Sequence, residues 1–175
     1  LPDDRSRRAG MILGWPHALI ALVALQRLLE LARARHNTRV LLARGGREAG
    51  ARHYPLFMLL HGGWLAVMFA LAAPDAVPDW PWLALFALCQ GLRVWVIVTL
   101  GPWWTTRIIT VDGAEPVAAG PYRFVRHPNY AIVAVEIVAL PLGIGLPAIA
   151  LVFGLLNVVL LAWRLRIEDA ARRQL

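Results

Sequence analysis

Lysine is absent from this chain. Every basic residue is arginine, and 18 of them against 11 acidic residues give a formal net charge of +7 over 175 residues. A sequence pI near 11.1 is one mark of a nucleic-acid binder. Here the arginines flank apolar runs, where anionic lipid head groups account for them, so no nucleic acid is expected as a partner. Cysteine occurs once. Cys89 lies inside an apolar run, allows no intramolecular disulfide and reads as a small packing residue. His, Cys, Asp and Glu nowhere fall at metal-ligand spacing, so no metal is expected. The chain also lacks a serine-nucleophile pattern, a Gly-rich dinucleotide or phosphate loop, internal repeats and low-complexity tracts. Gly45-Gly46 sits in an Arg-rich stretch and matches no phosphate motif.

What the chain has in excess is apolar surface. Its residues are 59% hydrophobic and its mean hydropathy is +0.57, too apolar for a soluble domain of this length. Five apolar stretches stand out: Ile12 to Leu29, Pro55 to Ala72, Pro81 to Leu100, Tyr130 to Leu142, and Pro147 to Trp163. A spanning helix needs roughly 20 residues. The first three have that length. The last two read as a tight helical hairpin turned by Gly143-Ile144-Gly145-Leu146-Pro147. The expected fold is an all-α integral membrane protein of about five transmembrane helices with a C-terminal helical hairpin. The polar segment Leu1 to Gly10 reads as a foreign leader and Met11 as the native start, leaving 11–175 as one membrane domain.

Loop charges set an orientation. Arg33, Arg35, Arg39, Arg44, Arg47 and Arg52 follow the first stretch. Arg107, Arg123 and Arg126 follow the third, and Arg164, Arg166, Arg172 and Arg173 follow the fifth. The segment Ala73 to Asp79 carries Asp75 and Asp79 and no base. The positive-inside rule puts the Arg-bearing segments in the cytoplasm and the N-terminus outside. Trp15, Trp80, Trp82, Trp103, Trp104 and Trp163 fall near span ends, as interfacial anchors do. Trp64 and Trp95 lie deeper, facing a cavity or simply packing.

Two polar clusters are candidates for chemistry. The first runs from Gly120 to Tyr130. Gly120-Pro121 reads as a turn and His127-Pro128 as a helix start, with Asn129 and Tyr130 in the first turn. Free backbone N–H groups there suit a carboxylate or another anion. An interfacial anchor of aromatic and arginine side chains is the plainer reading. The second cluster is Arg164, Arg166, Glu168 and Asp169. Arg164 and Glu168 are four apart and share a helix face, as a solvated ion pair also would. Within the spans, Gln90, Arg93 and Glu136 must face the interior. Glu136 serves either as a partner of Arg93 or in catalysis. His53 and His61 are structural hydrogen-bonders or bases.

Taken together, the clusters resemble the isoprenylcysteine carboxyl methyltransferase family. Its members carry Gly-x-Tyr-x-x-x-Arg-His-Pro-x-Tyr before a helical hairpin, matched here by Gly120, Tyr122, Arg126, His127, Pro128 and Tyr130. Just after the hairpin they carry an Arg and, four residues on, paired acids. Arg164, Glu168 and Asp169 match these, with Asp replacing Glu at the second acid. The resemblance spans roughly Leu100 to Arg173. The shorter first half, with His36, Asn37, His53 and His61, is similar to the compact bacterial branch, some of which resembles enzymes that O-methylate long-chain phenolic lipids.

The resemblance implies an S-adenosylmethionine site, with S-adenosylhomocysteine as product, at the cytoplasmic face of a bacterial inner membrane. By position Arg107, Pro116, Val117, Tyr122, His127, Pro128, Asn129, Tyr130 and Glu168 would contact the cofactor. Arg164 would face the methyl acceptor, a lipophilic small molecule arriving through the bilayer. A phenolic acceptor needs help in losing its proton, with His53, His61 and Glu136 as candidates. A carboxylate acceptor needs no base. A phospholipid amine is a third acceptor class, and a non-catalytic scaffold or a transporter is the reading from another functional class.

Overall fold

The computed structural model describes residues 13–51 and 54–172. The leader, Met11 and His53 lie outside the described residues. Five helices follow one another: α1 (Trp15–Ala43), α2 (Tyr54–Leu71), α3 (Trp80–Leu100), α4 (Pro128–Gly143) and α5 (Pro147–Arg172). Two short strands, β1 (Arg47–Ala49) and β2 (Ile108–Thr110), pair antiparallel with Glu48 opposite Ile109. No periodic signal in such three-residue segments announced this ribbon.

By length and composition, α2, Trp80–Trp103 and Pro147–Ala171 can each cross a membrane, and α4 is a shorter apolar helix. Large side chains such as Leu22, Leu59, Leu88, Val98, Leu155 and Val159 are exposed. In water that surface would aggregate; in a bilayer it is the lipid-facing coat. Inside, Ile20, Trp64, Met68, Phe86, Ile137 and Leu140 form the main core. A second cluster, including Cys89, Val96, Trp104 and Ile132, supports the Arg-rich end.

The first helix outruns its expected span. It continues from Leu29 to Ala43 because that stretch holds Ala, Leu and Arg and contains neither Gly nor Pro. Arg33, Arg35 and Arg39 therefore sit, exposed, on a helical extension and not in a loop. Twenty-nine residues give about 43 Å of helix, longer than the ~30 Å hydrocarbon core. Gly45 (φ 88°) ends it. The Gly46 N–H donates to the Leu41 carbonyl and the Gly45 N–H to the Leu42 carbonyl, a Schellman cap that explains the Gly-Gly pair. At the other end, α4 and α5 turn through Ile144, Gly145 and Leu146, with Gly145 at φ 78°. This is the expected hairpin.

Four charges sit in the middle of the bundle. The Arg93 guanidinium on α3 grips Glu30 on α1 through Nε (2.9 Å) and Nη2 (2.7 Å). Arg27 donates to Glu136 on α4 at 2.9 Å and to Glu30 at 3.0 Å. Arg93 Nη1 also lies 3.4 Å from Glu136, one of the two roles the sequence left open for that carboxylate. Gln90 donates to Glu136 at 2.8 Å, and Gln26 donates to Gln90 at 2.9 Å. Two cations meet two anions, so the quartet is neutral and its hydrogen-bonding capacity is largely used. Gln26, Arg27 and Glu30 face inward from α1, which is how a helix with charges at its centre fits the bundle.

Removing one member leaves an unmatched charge in a low-dielectric interior. Glu30→Leu is expected to cost about 3–5 kcal/mol and to lower the unfolding temperature in detergent. The neutral pair Glu30→Leu with Arg93→Met should recover most of that loss. A single variant as stable as wild type would show that the charges are solvated.

Candidate active site

The site forms where the ends of α3 and α5 meet the start of α4. Gly120 opens a 3-10 turn through Arg123 with φ 54°, and a Cβ there would fall 2.4 Å from Thr99 Oγ1. Glycine alone lets this turn seat against α3. Phe124 to Arg126 then lead to His127, which precedes the first helical residue, Pro128. The first turn of α4 thereby presents Asn129 and Tyr130 to a cavity of about 610 Å³.

A chain of hydrogen bonds crosses the cavity edge. The Tyr130 hydroxyl donates to Glu168 Oε2 at 2.6 Å and accepts from Arg164 Nε at 2.8 Å. Arg164 and Glu168 share a face of α5, as expected, but Tyr130 stands between them. The rings of His127 and Tyr130 stack at 5.3 Å, and His127 Nδ1 lies 3.8 Å from Glu168 Oε1. The Arg164 guanidinium rests over the Phe57 ring of α2 at 5.3 Å and the Tyr130 ring at 5.5 Å. It is buried. Asp169, the second acid, instead faces Arg126 at 3.4 Å in solvent.

The opposite wall comes from the ribbon and the loop after it. Arg107 binds Glu48 on β1 at 2.8 Å and lies 4.6 Å from the centre of the Tyr54 ring. Tyr54 also receives a hydrogen bond from Thr106 at 3.3 Å. Trp104 is buried, although the sequence places it among the interfacial anchors. Its carbonyl accepts from Asn37 Nδ2 at 2.8 Å, and Arg93 lies 5.7 Å from the centre of its ring. Asn129 Oδ1 is 3.5 Å from Arg93 Nη1. Through these two contacts the quartet supports the cavity wall.

Most of the residues singled out from the sequence gather here. Arg107, Pro116 and Val117 line the loop side, while Tyr122, His127, Asn129 and Tyr130 line the α4 side, with Glu168 and Arg164 opposite. Pro128 is buried behind the lining, where it starts the helix. Two candidates lie elsewhere. Glu136 is held in the quartet, and His61 Nδ1 donates to the Phe57 carbonyl at 2.9 Å, one turn deeper than the ring that supports Arg164. Phe57, Glu48, Tyr54 and Trp104 were not foreseen as parts of the site. Their contacts join distant segments, and no local motif marks them.

The isoprenylcysteine carboxyl methyltransferase (ICMT) family description matches residues 82–173. An uncharacterized protein of Bacillus subtilis (strain 168), YpbQ, is 36% identical over 160 residues, covering 89% of this chain and 95% of that protein. No solved structure matches. The similarity to YpbQ extends over the first half, which carries Glu30, Asn37 and Glu48.

The Glu48–Arg107 pair is half-exposed, so it contributes about 1 kcal/mol or less. Glu48→Ala should speed amide exchange at Ile108 to Thr110 by up to about fivefold, measured by hydrogen exchange in nanodiscs. Unchanged exchange would mean that the backbone pairing alone holds the ribbon.

Proposed function

This chain belongs to the isoprenylcysteine carboxyl methyltransferase family, and we propose that it moves a methyl group from S-adenosylmethionine to a hydroxyl of a phenolic or polyketide-derived lipid. The family is one of membrane methyltransferases, generally dependent on S-adenosylmethionine. The observation that carries the reading is the Glu168–Tyr130–Arg164 chain, which links the cavity to the membrane helix α2 at Phe57.

The residues present fit the cofactor. About 610 Å³ is ordinary for a small-molecule site. The cofactor carries both signs of charge, and so does the lining, with Arg107 and Arg164 against Glu115 and Glu168. The Asn129 N–H, in the first turn of α4, suits its carboxylate, since the Tyr130 and Ala131 N–H groups donate to the His127 carbonyl. Glu168 accepts from ribose hydroxyls or an ammonium. Trp104 lines the cavity, and its indole N–H is buried without an acceptor. The cofactor, when bound, supplies a methyl group already activated on a sulfonium.

The chain's own part is to place an acceptor oxygen and favour the loss of its proton. Arg164, fixed in direction by Tyr130 and Phe57, orients the oxygen and favours its anion. That oxygen would take up the methyl the cofactor supplies, its proton leaving to water in the cavity. His61 lies outside the cavity lining with its Nδ1–H committed to the Phe57 carbonyl, so it is not placed to take that proton. Glu136 already neutralises two arginines and serves the fold. The acceptor enters from the bilayer, and the cofactor from the cytoplasmic side of a bacterial inner membrane. The basic residues of the site end agree with that orientation. Carboxyl methylation of a lipidic acid is the second reading, favoured by the activity for which the family is named, and there Arg164 alone would hold the carboxylate.

Calorimetric titration of purified protein with S-adenosylhomocysteine tests the cofactor. Micromolar binding is expected, weakened at least tenfold, about 1.4 kcal/mol, by Glu168→Ala and by His127→Ala. A folded wild-type protein that binds none, in lipid as in detergent, would sink the reading.

A further inference from the structure

A second cavity, of about 670 Å³, lies on the far side of the quartet and shares no lining residue with the candidate active site. Leu19, Leu22 and Val23 of α1 face Leu83, Phe86 and Ala87 of α3 across it. Among the described residues, none that carries a charge lines it. Leu22 and Trp80 stand in its wall and are largely exposed, so the cleft opens sideways to lipid. Two polar ties mark its ends. At one, Trp15 Nε1 donates to the Ala76 carbonyl at 2.8 Å, beside Pro78 and Trp80. At the other, the Gln26 amide donates to Gln90 at 2.9 Å.

Dimensions select the occupant. Trp15 and Gln26 are eleven residues apart on one helix, which is about 16 Å of rise. That is about half of the ~30 Å hydrocarbon core. The cleft therefore runs from an interface to the bilayer midplane, the depth that the chains of one leaflet occupy. A helix about 10 Å across would displace roughly 1,200 Å³ over that length, nearly twice the space present. Position excludes the tail of the methyl acceptor. Gln26 donates to Glu30, Gln90 donates to Glu136, and Arg93 bridges to Glu30, so the quartet stands between the cleft and the active-site cavity. The mouth selects the head group. The segment 73–79, which leads into Trp80, carries Asp75 and Asp79 and no base. A lipid of net negative charge meets repulsion there, and one that ends in an ammonium meets attraction.

We infer that the α1–α3 cleft holds one acyl chain of an ethanolamine-headed phospholipid in the leaflet opposite the active-site cavity, as a resident lipid and not as a methyl acceptor. The chain covers the flank of the quartet that α1 and α3 leave open. It keeps water from the Gln26–Gln90 contact, and the ion pairs behind that contact act in a low dielectric. The inference needs only that the bundle sits in a membrane, and it is independent of the transfer reading.

The test uses the full chain in nanodiscs with a phosphatidylethanolamine that carries a diazirine at the end of one acyl chain, followed by illumination and peptide mapping. Label should concentrate in residues 19–26 and 83–90, toward Gln26 and Gln90. Unlabelled phosphatidylethanolamine should dilute it at least fivefold more effectively than phosphatidylglycerol, about 1 kcal/mol. Ala87→Phe fills the cleft and Leu22→Trp blocks its mouth, and each should cut the label at least fivefold while label at Leu155 and Val159 on α5 stays constant. Stripping lipid should lower the unfolding temperature of wild type and leave that of Ala87→Phe in place. Equal labelling of every lipid-facing helix overturns the inference, because it marks ordinary bilayer contact. So do label that survives both substitutions in folded protein and equal dilution by the two phospholipids. Dilution by an alkyl phenol would make the cleft part of an acceptor path, and α1–α3 crosslinks between two copies would make it a dimer seam; either result also overturns it.

Discussion

A neutral cluster of four charges in an apolar bundle constrains the rest of this protein. Arg27, Glu30, Arg93 and Glu136 come from α1, α3 and α4 and contact one another at hydrogen-bond distance. Lipid offers such groups no alternative partner, so the three helices are held in one register or they leave charges bare. Apolar packing alone is less demanding, because lipid tails are as good a neighbour as leucine. The quartet thus does for helix register what the hydrophobic effect does poorly within a membrane.

The same cluster sets the floor of the cavity. Arg93 reaches Asn129 in the first turn of α4 and lies against the face of Trp104, and both line the site. Above that floor the site is assembled from helix ends, where backbone groups are free and side chains can turn toward the aqueous face. Arg164, Tyr130 and Glu168 then form the boundary between a polar chamber and the lipid-facing helices. A polar cofactor and an apolar acceptor can approach one atom from opposite sides only at such a boundary.

How much of this was legible in the sequence depended on range. The apolar stretches, the hairpin turn and the His127-Pro128 helix start rest on local composition and local backbone rules; the structure has a helix for each stretch, and three of these are long and apolar enough to cross a membrane. The residues around Gly120 to Tyr130 and Arg164 to Glu168 were marked by motif, and they meet at the cavity. What escaped was set by contacts between distant segments. Nothing near Glu48 announces Arg107, and nothing near Phe57 announces Arg164. Nothing near Arg27 and Glu30 announces their partners on α3 and α4. The end of α1 was misplaced for another reason. Hydropathy falls at Glu30, but helix propensity does not, so the span stops before the helix does.

The ribbon between β1 and β2 joins the two halves of the chain. Its second strand lies within the part shared with the family description, residues 82–173, but its first strand, Arg47–Ala49, does not. Neither do Asn37, which ties down Trp104, Phe57, which supports Arg164, nor Glu30, which neutralises Arg93. The motif-bearing half is therefore not a module. Cut free, it would present an unpaired strand edge, and Arg93 would lose the closer of its two carboxylate partners. The first half and the motif-bearing half must change together, because each supplies partners that the other's charged groups require.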